Sequence, residues 1–172
     1  KINTDDYGIS KNVSDCINIL SKKNLIHSTS IFVNTDYFEK IKNDIKYLNI
    51  EKGLHFSITE GKCLSKIKQF SDNNYYFKYS GRDLFKKYFL KNIDNNLLEK
   101  IFDEFKYQFN LLSNYIKIEH VSSHEHVHMI PPLFEKIEKF CNSNDVKYLR
   151  NFNENLSFNS ISEFINFFYD SN

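Results

Sequence analysis

Short strand-forming segments alternate with amphipathic helical segments along this chain, and no other feature constrains its fold as tightly. Residues 2–4 lean apolar and read as the end of a strand. Ser10 can cap a helix, and Val13, Cys16, Ile17 and Leu20 follow at helical spacing, with Asn24 as the stop. Residues 29–33 (Thr-Ser-Ile-Phe-Val) are rich in strand formers. Asp36 can cap a second helix carrying Phe38, Ile41, Ile45 and Leu48, and residues 53–59 alternate Leu54, Phe56 and Ile58 as a strand. Asp83 can start a short helix. Asp94 caps the clearest helix, with Leu97, Leu98, Ile101, Phe102, Phe105, Phe109 and Leu112 on one stripe, a core stripe rather than a cofactor box. Residues 116–121 return to strand. Pro131 and Pro132 suit a helix's first turn, with Leu133, Ile137 and Phe140 facing inward. Residues 146–149 read as strand and 160–168 as a last helix. This order predicts a parallel sheet with right-handed crossover helices, within a single domain over residues 1–172. Residues 60–82 lack a clear period, and 60–92 read as an insertion near the rim.

Composition removes several alternatives. Twenty-three basic and 22 acidic residues nearly cancel, so there is no field for steering onto nucleic acid or an anionic membrane. No apolar run approaches the ~20 residues of a membrane helix, and the first residues lack the apolar core of a signal peptide. The absence of Ala and Trp beside abundant Asn, Ile and Lys reads as nucleotide bias. Cys16, Cys63 and Cys141 are widely spaced and odd in number, which suggests neither a zinc knuckle nor a disulfide framework. Cys16 and Cys141 fall on apolar helix positions, as buried free thiols do, and a reducing, cytoplasmic location is expected. A small-molecule partner is expected, with a homodimer compatible.

In a parallel α/β sheet the C-terminal ends of the strands share one rim, and chemistry gathers there. Asp5 and Asp6 follow the first strand, Asn34 the second, and Arg150 the fifth; His55 lies in the third. The fourth leads into Ser122-Ser123-His124-Glu125-His126-Val127-His128. His27 and His120 precede or lie within strands and read as structural. Carboxylate and imidazole arriving from separate strands are the ligand chemistry of a catalytic divalent metal. Residues 124–128 also match the H-E-x-x-H pattern of a zinc metallopeptidase, with His124 and His128 as ligands and Glu125 as base. That pattern needs a helix, and a strand-like entry with Pro131 and Pro132 close behind argues against one.

The segments themselves resemble a known family. Asn3-Thr4-Asp5-Asp6-Tyr7-Gly8-Ile9-Ser10 is similar to the N-A-D-D-F-G-L-S opening of the YdjC/ChbG-like carbohydrate deacetylases. Ser28-Thr29-Ser30-Ile31-Phe32-Val33-Asn34 resembles their T-S-x-x-x-V-N strand, and Gly53-Leu54-His55-Phe56-Ser57-Ile58-Thr59-Glu60-Gly61 their G-x-H-x-x-L-T-x-G segment. Residues 122–128 resemble their D-S-H-x-H-V-H, and Met129-Ile130-Pro131 and Leu149-Arg150 also fit. Order and spacing agree over about 150 residues.

The resemblance implies an irregular (β/α) barrel of the glycoside hydrolase/deacetylase type. It implies a metal-dependent hydrolase acting on a non-peptide linear amide, removing acetyl from an N-acetylated saccharide such as diacetylchitobiose. Carried over by position, Asp6, His55 and His124 hold the metal and Asp5 is the general base. His126, His128, Arg150 and Asn34 are candidates for supporting the site or touching substrate. The family is described with magnesium, while an Asp-His-His set also suits zinc or another transition metal. Ser122 stands where the family has Asp. A later H-P motif of the family has no counterpart here, so a barrel incomplete at its C-terminal end, or a non-catalytic saccharide- or metal-binding relative, is the further expectation.

Overall fold

The computed structural model describes residues 1–151; the helix expected at 160–168 lies outside them. Five parallel strands form one sheet in chain order: β1 (Asn3–Tyr7), β2 (Ser28–Ile31), β3 (Glu51–Phe56), β4 (His120–Ser123) and β5 (Tyr148–Leu149). Each connection steps to the adjacent strand, the winding of a (β/α) barrel, but the sheet is not closed among the described residues. Helix α1 (Lys11–Lys22) joins β1 to β2, and a short α2 (Phe38–Ile41) with a 3-10 turn at Ile45–Tyr47 joins β2 to β3. Helices α3 (Gly81–Phe89) and α4 (Asn95–Ser113) precede β4, and α5 (Pro131–Ser143) precedes β5.

Local chemistry accounts for most boundaries. The Ser10 and Asp94 side chains accept from the Val13 and Leu97 amides, as N-caps do. Pro131 opens α5 where its missing N–H costs nothing. Two expected helix starts are displaced. Thr35, not Asp36, receives the Phe38 amide, and Asp36 instead binds Lys62 and Tyr76. Ser80, not Asp83, caps α3; Asp83 is its partner three residues on, completing a capping box. Cys16 is exposed rather than buried, because α1 turns Ser14, Ile17 and Ser21 inward. Cys141 is buried, as expected.

Side chains alternate across the strands, so the sheet has two unlike faces. Ile31, Leu54 and Val121 lie in register on one face and are completely buried. Phe56 meets Phe105 of α4 edge to face at 5.3 Å, and Phe140 of α5 packs edge-on against Phe102, Phe105 and Phe109. The other face is polar and rises in rows: Asn3, Ser28 and Glu51; then Ser30, Gly53 and His120; then His55 and Ser122. These rows lead to the C-terminal rim. Segment 57–80, between β3 and α3, holds two isolated antiparallel bridges, Lys62 with Tyr76 and Ser71 with Phe77.

Candidate metal centre

Asp6, His55 and His124 converge at that rim. Asp6 Oδ1 lies 3.2 Å from His55 Nε2 and 3.4 Å from His124 Nδ1, and the three ligand atoms all fall within 4.8 Å of one another. Ligands at ~2.1 Å from a tetrahedral ion stand ~3.4 Å apart, so this spacing suits one shared ion. Asp6 Oδ1 is buried and accepts no hydrogen bond, an acceptor in want of a cation. Burial by itself would raise the Asp6 carboxyl; the neighbouring His124 and His55 nitrogens outweigh it and hold the group well below the usual carboxylate range. His124 is opposed by burial too, yet Asp6 keeps its pKa above the ordinary value.

A break in β1 makes the convergence possible. Thr4 pairs with Thr29 and Tyr7 with Ile31, so β1 carries one residue more than β2 over that stretch. This is a bulge, and Asp6 occupies it with φ 69°, a left-handed conformation that Asp tolerates better than most residues. Without it, consecutive Asp5 and Asp6 would face opposite sides of the sheet. His124 is delivered by a second irregular segment: after β4, Glu125 and His126 both adopt positive φ, at 48° and 54°. Two consecutive left-handed residues interrupt the 3-10 segment His124–Met129, so the H-E-x-x-H residues do not form one helical face.

Neighbouring side chains fix the orientation of the set. His55 gives its other nitrogen, Nδ1, to Ser122 Oγ at 2.8 Å, which leaves Nε2 for Asp6. Ser122 thus holds the imidazole by the nitrogen turned away from Asp6. The fully buried Phe32 ring lies edge-on to both His55 and His124, at 5.0 and 5.1 Å, as an apolar floor. Its chain path needs Gly8: at φ 95°, a Cβ there would lie 2.8 Å from the Phe32 carbonyl oxygen.

Asp5 sits beside the ligand cluster, 3.8 Å from His55 Nδ1. Arg150 donates to both its oxygens, at 2.6 and 3.1 Å, and Asn3 Nδ2 adds a bond of 2.8 Å. Burial pushes the Asp5 carboxyl up, but Arg150 above all, with His55, brings it below its ordinary value. His126 is half-buried and lies close enough to Arg150, Asp5, His55 and His124 to feel their charges; burial first, then Arg150, lowers its pKa.

His128 and Asn34 are structural in their contacts. His128 is completely buried, with Nδ1 against Ser123 Oγ and Nε2 at 2.9 Å from the Arg150 carbonyl. Neither nitrogen is open to a metal. The clamp instead fixes the backbone of the arginine that holds Asp5. Asn34 donates to the carbonyls of Glu60 and Lys62 and pins the loop between them; a Cβ on Gly61 would lie 2.6 Å from the Asn34 carbonyl oxygen.

Two residues that sequence reasoning passed over support the rim from α4. Glu104 and Gln108 are fully buried among the aromatic rings. Gln108 bonds both the N–H and the C=O of Ser57, while Glu104 accepts from the amides of Leu64 and Ser65, the Ser65 hydroxyl and Gln108. Their signal was two polar residues, one helical turn apart, on a face otherwise apolar.

A family model described as YdjC-like protein matches residues 1–169. The chain is 30% identical to a carbohydrate deacetylase of Clostridium beijerinckii, covering 98% of this chain and 68% of that protein. It is 26% identical to a chitooligosaccharide deacetylase of Salmonella typhimurium, covering 81% of this chain and 54% of the relative. A crystal structure of a candidate cellobiose-phosphate cleavage protein from Enterococcus faecalis superposes with a TM-score of 0.70 at 19% identity, covering 98% of this chain and 63% of that one. That last likeness speaks for the fold alone. The chain spans between about half and two thirds of the length of these relatives. With its motifs, its sheet order and a match over nearly every residue in agreement, the chain belongs to the YdjC-like family.

Proposed function

We propose that this chain carries the catalytic rim of a metal-dependent carbohydrate deacetylase, a hydrolase that frees acetate from an N-acetylated saccharide. The observation that carries the reading is the meeting of Asp6, His55 and His124 with a separate, arginine-held carboxylate beside them. The names of the relatives supply the substrate class. Asp6, His55 and His124 would hold one divalent ion. Two imidazoles and one carboxylate favour zinc or another transition ion over magnesium, which prefers oxygen ligands. When bound, the ion would supply Lewis-acid polarisation of the amide carbonyl and a lowered pKa for water.

The remaining chemistry falls to the chain's own groups. Asp5 is ionised at neutral pH and accepts the proton as water adds to the amide carbon. Arg150 and Asn3 keep the carboxylate in one orientation, so little reorganisation is needed at the moment of attack. The C–N bond then breaks, and the nitrogen must gain a proton to leave as the amine. The low pKa of Asp5 makes its protonated form a ready donor, so the same carboxyl returns the proton. Phe32 keeps water from the back of both imidazoles. Acetate and the amino sugar are the products.

The direct test is mass spectrometry of N,N′-diacetylchitobiose incubated with the protein and zinc or magnesium, with a chelator arm. Loss of one acetyl group, abolished by chelator, is the expected result. Turnover that persists at full rate in chelator would exclude the metal-dependent reading.

A further inference from the structure

His120 lies one row below the site, within β4, and its imidazole crosses the sheet rather than standing on its own strand. Its Nε2 reaches Ser30 Oγ on β2 at 3.1 Å. Between those strands runs β3, and the residue in register with both is Gly53. Neighbouring strands are ~4.8 Å apart, so the imidazole spans a gap that a direct neighbour would close. Only glycine permits this: a Cβ on Gly53 would overlap the His120 ring and carbonyl. Glycine inside a strand costs stability, and a smaller residue at 120 would not require it.

What the imidazole touches continues upward. Ser30 Oγ accepts from Asn3 Nδ2 at 3.2 Å, and the same amide donates to Asp5 Oδ1 at 2.8 Å. Ser28 donates to Asn3 Oδ1 at 2.7 Å and fixes which way that amide is turned. Asp5 is therefore held from two sides, by Arg150 from β5 and by a chain of hydrogen bonds from β4 through β2 to β1.

We propose that His120 is a positioning residue for Asp5, acting through Ser30 and Asn3 across the gap left by Gly53. This rests on the reading of Asp5 as the base in a deacetylase. His120 bonds Ser30 and stands apart from the cluster of proposed ligands Asp6, His55 and His124, so its effect falls on the orientation of the carboxylate and not on the metal.

The test uses three variants of the chain, with zinc as the metal probe and N,N′-diacetylchitobiose as substrate. His120→Leu keeps the bulk and loses the bond; Ser30→Ala breaks the same link with a smaller change, and stands in should the leucine variant fail to fold. His120→Gln places an amide near the position of Nε2. The first two should lower kcat by roughly 10- to 30-fold with KM within about threefold of wild type, because only orientation at the reacting atoms is lost. Zinc affinity by calorimetry should stay within about threefold of wild type, since no ligand or direct ligand support is changed. His120→Gln should recover most of kcat. In crystal structures of the first two variants, Asn3 should leave Asp5 and the two-point Arg150 contact should break. Wild-type kcat in both, or an unmoved Asp5 in both structures, would overturn the proposal. So would zinc affinity falling in step with kcat. If the wild-type protein deacetylates nothing, the functional reading fails alone, and the two variant structures still decide whether His120 positions Asp5.

Discussion

Asp5 and Asp6 are chemically identical neighbours placed in opposite electrostatic settings. Asp6 faces two imidazole nitrogens and has a buried oxygen that accepts no hydrogen bond; Asp5 faces a guanidinium and an amide. The same substitution should therefore have different consequences at the two positions. Asp6→Asn should weaken zinc binding by at least about 100-fold, because it removes the charge of a proposed ligand. On the proposed role of Asp5, Asp5→Asn should leave zinc affinity within a fewfold of wild type yet lower kcat by roughly 100-fold or more, the usual cost of losing a general base. Calorimetry and steady-state rates on the two proteins separate the roles, and equal effects on both quantities would merge them. Most of the residue types at this rim were legible in the sequence because they sit where a strand pattern ends; His55, inside the strand expected at 53–59, was marked instead by the family resemblance. The backbone that aims them was not: nothing in Asp-Asp announces that the second residue is left-handed, and nothing in His-Glu-His announces two more. Conformations of that kind follow from the register of neighbouring strands and from packing beneath them, which a local pattern does not contain.

At the scale of elements, α4 both covers the sheet and anchors the rim. Its aromatic stripe buries the outer face of β3, while Glu104 and Gln108 reach past that stripe to the backbone of 57–65. Gln108→Ala would strand the N–H and C=O of Ser57, two residues after His55. The cost should be roughly 2–5 kcal/mol, two buried groups left without partners. Urea denaturation measures it, and hydrogen exchange should quicken in 57–65 more than in β1 and β2; an unchanged midpoint would refute the pin. The stripe was plain in the sequence because its period is local. The partners of Glu104 and Gln108 lie about 40 and 51 positions away, and no spacing rule joins them. Caps show the same limit on a smaller scale. Thr35 against Asp36 and Ser80 against Asp83 were both chemically able to cap, and only the path of the chain into the helix decides which side chain meets the free amide.

Burial, foremost, lowers the pKa of His120, His126 and His128, and the shift is largest at His120 and His128, each pushed down to about 4. In the unfolded chain they titrate near their ordinary value of about 6.5. Between those values the unfolded state takes up protons that the folded state refuses, so stability falls as pH drops from 6.5 towards 4 and the loss levels off below. His128 alone should contribute a slope of up to about 1.4 kcal/mol per pH unit in that window. Chemical unfolding of wild type and His128→Gln at pH 7, 5.5 and 4.5 checks the sign. The variant starts less stable, having lost its clamp on Ser123 and Arg150, but should decline less with acid; parallel curves would contradict the buried-neutral assignment. At this scale the parallel direction of the strands was legible, since strand and helix alternate, while their sequential order came with the family resemblance. The polar inner face was not, because Ser, Asn and Gly in short strands look like loop residues until the register sets them in rows.

One more consequence follows from the bulge in β1. Thr4 and Tyr7 are three residues apart where their partners Thr29 and Ile31 are two apart, so a chain lacking Asp6 would pair without interruption and Tyr7 would keep its place in the core. Fold and reactivity are then separable by subtraction of a single residue. The shortened protein should melt no lower than its parent and should ignore zinc. The strand pairing, on this view, does not need Asp6, and the proposed metal binding does.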